Sequence, residues 1–129
     1  MKEIQPDINQ IKITEYRDWQ HHKVKKLVSL SEEGKIDFIQ LPIYLVRERD
    51  VLGRNTENYI IYDGNSRFFL ASNGRIPNLI MHLLETDADL DDVRRRNNEI
   101  YWPGHNLEVV ERYLTVKTEL LCGDCCVRS

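Results

Sequence analysis

Five consecutive residues carry the side chains and spacing most suited to chemistry: Asp63, Gly64, Asn65, Ser66 and Arg67. They stand where an apolar run, YIIYD, meets a stretch with helical character, SRFFLASNG. A helix that begins here exposes unpaired N–H groups and the positive end of its dipole, which together attract anions. Gly64 permits close approach of a ligand to the backbone. Arg67, in the first turn, can set a fork of donors on a phosphate or carboxylate. Asp63, ending the strand, can hold a divalent cation or accept a proton. The same residues also serve as ordinary helix caps, and the motif alone does not separate the two readings.

The choice turns on whether Asp63–Gly64 is a hairpin turn or a strand-to-helix elbow. A hairpin needs a second alternating strand directly after the turn. Residues 66–74 do not alternate, and Gly74 and Pro77 suit the end of a short helix over 66–73. The elbow is the expectation.

The elements that must position it follow from the pattern along the chain. Residues 1–14 look extended, and a helix is expected over about 18–33, closed by Gly34. FIQLPIYLV reads as a strand, with Pro42 at an edge or among its first residues. Residues 47–58 read as a hairpin loop, 59–63 as the returning strand and 78–85 as a third strand. Helices are expected over 86–100 and 107–121, the second capped by Asn106, with YWPGHN a loop between them. The order predicts one small α+β domain over 1–129, with a core over about 11–85, C-terminal helices over 86–121 and a flexible Cys-containing tail over 122–129. Tyr59, Ile61, Phe69 and Leu83 are the expected core residues.

The succession LPIYLV…NYIIYDGNSRFFLASNGRIPNLIMHLLE resembles the ParB/sulfiredoxin superfamily. Gly64, Arg67, Ala71, Gly74, Ile76 and Pro77 match its frame of a G-x-x-R elbow, a short helix with a small residue, and a glycine ahead of the Ile-Pro that opens the next strand. The resemblance covers about residues 36–85. It implies a mixed β-sheet with a short phosphate-binding helix and flanking helices. It also implies a nucleotide (ATP, ADP or CTP) with Mg²⁺, its phosphates held over Gly64, Asn65, Ser66 and Arg67. The nearest version of the elbow is the D-G-H-H-R motif of free-serine kinases, with Asp63, Gly64 and Arg67 in register. There Asp63 would be a catalytic acid and metal ligand. A second acid comes from the N-terminal region, for which Glu15 is the candidate and Asp18 the next. Asn65 and Ser66 depart from the family's catalytic residue types, so an interaction module without turnover stands beside the phosphoryl-transfer reading. Such a module would bind a protein partner, a second copy of the chain or a DNA-associated complex.

Other features bound the function. The chain has 129 residues and a net charge of -3, which disfavours a surface built to coat DNA. No apolar run reaches the ~20 residues of a membrane span, and no secretory h-region is visible. Cys122, Cys125 and Cys126 are odd in number and crowded at the end, which suits a cytoplasmic location better than a disulfide framework. CGDCC lacks a fourth ligand for zinc. An EF-hand starting at Asp87 fails, because Asp92 and Asn98 stand where Gly and Glu are required. Thr86 with Asp89 reads instead as a capping box. Arg94, Arg95 and Arg96 read as a solvated helix end, and His21 and His22 as surface residues.

Overall fold

The computed structural model describes residues 1–35, 41–96 and 106–128, with side chains as far as Leu121. The strands are β1 (Lys2–Ile4), β2 (Ile11–Lys12), β3 (Ile43–Arg49), β4 (Asn55–Asp63) and β5 (Met81–Leu83). Among the described residues the helices are α1 (His22–Glu32), α2 (Asn65–Ser72), α3 (Asp87–Arg96) and α4 (Leu107–Arg128), with a 3₁₀ turn at Ile8–Gln10. The strands form one mixed sheet in the order β1-β5-β3-β4-β2. β3 runs antiparallel to β4 and parallel to β5, β1 is antiparallel to β5, and β2 is parallel to β4. The α+β class expected from the sequence is the one observed.

β3 is central and buried on both faces, so it reads as continuous apolar residues. Tyr44 and Val46 point to one side with Ile60, against Leu90 and Val93 of α3 and Leu107, Val110 and Leu114 of α4. Ile43 and Leu45 point to the other, with Ile61, against Phe68 of α2. α1 packs on α2 through Val24 and Leu70, with Ile76. Pro42 directly precedes β3, where its missing N–H costs no ladder bond. Of the expected core, Ile61 and Leu83 are buried, and Tyr59 and Phe69 are partly buried at its margin.

Several boundaries differ from the sequence reading. The β3–β4 connection is only Asp50–Arg54, because both strands continue through residues that look like loop. Two of their charges, Glu48 and Arg49, are paired rather than solvated. Arg49 grips buried Glu111 of α4 through Nε and Nη2, at 3.0 and 3.3 Å. Glu48 pairs with Lys12 and accepts from Thr56 and Asn58. The turn itself is tightened by Asp50, whose Oδ1 accepts from the N–H groups of Leu52 and Arg54 at 2.9 Å. α1 starts at His22 rather than near Asp18, because Asp18 instead turns the chain, accepting from Gln20 N–H. β5 is shorter than 78–85, and α4 continues past Leu121 to Arg128. The expected caps are present at Thr86–Asp89 and at Asn106. Residues 97–105, including Trp102 and His105, lie outside the described residues.

Burial pushes the Glu48 carboxyl up, but hydrogen bonds from Lys12, Asn58 and Thr56 and the Lys12 charge outweigh it. Its pKa falls below the ordinary 4.5. A carboxylate lowered by folding adds stability that is complete above its unfolded pKa and is lost as pH falls through the folded one. Glu48→Gln should therefore flatten the acid side of the stability–pH curve, below about pH 4.5, in urea melts taken from pH 7 to 3.

Candidate functional site

The Asp63–Gly64 pair is an elbow: β4 ends at Asp63 and α2 begins at Asn65. Gly64 has φ +114°, a conformation that side chains resist. A Cβ built there would lie 2.7 Å from Ile43 Cβ and 3.2 Å from its Cα. Packing against the central strand therefore demands the glycine, whatever the elbow binds. The glycine brings α2 close against the sheet and so fixes the direction of its N-terminus.

Asn65 is buried, and its side chain is spent on the protein itself. Its Oδ1 accepts from Thr14 N–H at 3.0 Å and Glu15 N–H at 3.3 Å. Its Nδ2 donates to Thr14 Oγ1 at 2.9 Å, and that hydroxyl donates to Ile61 O at 2.8 Å. The amide thus clamps the N-terminal segment to the elbow. Any contact Asn65 makes with an anion must come through its backbone N–H. Asn65→Ala strands two backbone donors beneath the surface, and should cost about 2 kcal/mol of unfolding free energy in urea melts.

Ser66 is also buried, and its Oγ accepts from Arg17 Nε at 2.8 Å. Arg17 then holds Glu15 through Nη2, at 2.7 Å from Oε2. That hydrogen bond, with the Arg17 charge, keeps the Glu15 carboxyl below its ordinary 4.5 despite partial burial. Glu15 is therefore ionised at neutral pH and a weak proton acceptor. Its side chain is 51% exposed. Arg67 Nε is buried and has no acceptor among the described residues. An unmet donor of this kind costs free energy in the free protein that an arriving acceptor would recover.

These residues line one cleft of about 420 Å³. Glu15, Asp63, Gly64, Asn65, Ser66 and Arg67 all reach it, so the chain folds to bring the elbow residues and the first-choice N-terminal acid together. Asp18 does not line it. Three cations that sequence reasoning missed do: Arg17, and Lys23 and Lys26 of α1. Lys23, Lys26, Leu27 and Leu30 share one helix face, the signal that could have found them. Leu27, Leu30 and Leu41 add an apolar wall. Four cations thus share the cleft with two carboxylates, Glu15 and Asp63. The size and the mixture of apolar wall and convergent polar groups are those of a small-molecule site.

On α3, Arg94 departs from the expected solvated helix end. It is 7% exposed, its Nε donates to Tyr62 OH at 3.2 Å, and Nη1 is buried without an acceptor among the described residues. Arg96 keeps to the expectation, pairing with exposed Asp92 at 2.9 Å. Among the described residues no cluster of three or more His, Cys, Asp or Glu could hold a metal, and no helix is long and apolar enough to cross a membrane.

Fold and site together define a small α+β domain, a five-stranded mixed sheet with four helices among the described residues, that gathers a cationic cleft at a strand-to-helix elbow. No protein-family model matches the chain, and neither a curated protein nor a solved structure matches it.

Proposed function

We propose that the domain binds a phosphorylated small molecule, a nucleotide such as ATP, ADP or CTP with Mg²⁺, in the cleft between α1 and the β4–α2 elbow. The observation that carries this reading is the convergence of Arg17, Lys23, Lys26 and Arg67 from three separate segments on the N-terminus of α2. The apolar wall of Leu27, Leu30 and Leu41 gives a base or sugar a place to lie. The elbow's resemblance to the ParB/sulfiredoxin frame points to the same ligand class. Asp63 would hold Mg²⁺. That cation commonly takes only one or two protein carboxylates and completes its shell with phosphate oxygens and water.

Binding without turnover fits the side chains better than phosphoryl transfer does. Asn65 and Ser66 are committed to internal hydrogen bonds, and Glu15 is tied to Arg17 as a weak base. The reading is therefore a ligand-binding module, cytoplasmic by its cysteine pattern, with phosphoryl transfer the second possibility. Titration calorimetry with ATP, ADP and CTP, each with and without Mg²⁺, tests it. Saturable binding by at least one supports the reading, and no heat at about 1 mM ligand overturns it. Release of phosphate or loss of ATP over hours with purified protein would move the conclusion to catalysis.

A further inference from the structure

α4 is apolar on two opposite faces. Leu107, Val110 and Leu114 face the sheet and are buried. Val109, Tyr113, Val116 and Leu120 face outward and are 45%, 65%, 57% and 69% exposed. The outward four advance in steps of four, three and four residues, the spacing of a helix–helix seam rather than of scattered surface residues. A solvated helix face has no use for such a stripe.

The charges beside the seam select its occupant. Arg112, which is ion-paired with Glu108 one turn earlier at 2.6 Å, and Glu119 flank it on one side, and Lys117 lies on the other. In a parallel pair of α4 helices, Arg112 would meet Lys117 of the second copy, like against like. In an antiparallel two-fold pair, Arg112 of each copy meets Glu119 of the other, twice, while Tyr113 packs across Val116. The stripe is thus self-complementary in one orientation only. Next to it the β3–β4 turn exposes Val51 and Leu52, and these form a groove of about 490 Å³ with Arg112, Thr115, Val116 and Glu119. A second α4 laid along the seam extends into this groove. The Arg49–Glu111 ion pair fixes the turn relative to the helix, so the surface is preformed.

We infer that this face binds a second copy of the chain through antiparallel pairing of α4. It is independent of the ligand cleft, which no residue of this surface lines.

Sedimentation velocity and light scattering of the full chain at about 100 µM test the pairing, because mass action favours the dimer there. Wild type should be a dimer. Val116→Asp should weaken it by roughly 30-fold or more, the size of an interface hot-spot loss. Glu119→Arg, at an exposed position, should weaken it by about tenfold, because it sets a second guanidinium against Arg112 of the other copy. Adding Arg112→Glu to the same chain should restore the dimer. A monomeric wild type overturns the inference. So does a dimer indifferent to Val116→Asp, or a Glu119→Arg defect that the second change leaves unrepaired.

Discussion

Gly64→Ala should lower the thermal midpoint by about 10–15 °C, the largest loss expected from any single methyl group in this chain. Two costs combine. A positive φ of 114° strains any residue with a Cβ, by about 1–2 kcal/mol. The new methyl also collides with Ile43 at the start of the central strand, and forcing a carbon into a packed core costs about 1–3 kcal/mol more. The collision reaches Ile43 Cβ and Cα, atoms that alanine also carries, so Ile43→Ala cannot relieve it. Gly53 supplies the control. It also has positive φ, but a Cβ there meets nothing within 4 Å. Gly53→Ala should therefore show the strain alone, a drop of about 5 °C by differential scanning calorimetry. Equal drops at the two positions would remove the packing explanation.

The second large effect is on binding. Arg67→Ala should weaken nucleotide binding by about 10- to 100-fold, the worth of a charge-assisted arginine–phosphate contact of about 1.5–3 kcal/mol. Stability should hold or rise slightly, because the substitution removes a buried donor that has no acceptor among the described residues. Loss of binding without loss of stability marks a ligand residue and not a structural one. Arg67→Lys should recover part of the affinity, as a point charge lacks the planar fork. Equal binding by Arg67→Ala and wild type would place the phosphates elsewhere.

The elbow was legible in the sequence because its signals are local. Asp-Gly after an apolar run, a helix too irregular to alternate, and Gly74 with Pro77 beyond it need no tertiary information. The caps at Thr86–Asp89 and Asn106 were legible for the same reason. What escaped depends on pairing across the chain. Glu48 and Arg49 look like loop residues until Lys12 and Glu111 neutralise them inside the sheet. Asn65 occupies the position of a catalytic residue in the motif it resembles, yet its amide serves Thr14 and Glu15, about fifty positions earlier. Arg17 was legible only as a charge, since its role depends on Ser66 being brought beneath it. The outward stripe of α4 was hidden by its inward one. Apolar residues on both faces blur the helical period, and only burial separates the two sets.

A crystal soaked with ADP and Mg²⁺ tests the ligand site most directly. Phosphate density should lie over the N-terminus of α2, within hydrogen-bond distance of the Ser66 and Arg67 N–H groups and of Arg67 Nε, with the base along Leu27 and Leu30. Nucleotide bound at a different surface, with Arg67 Nε still unpartnered, would contradict it.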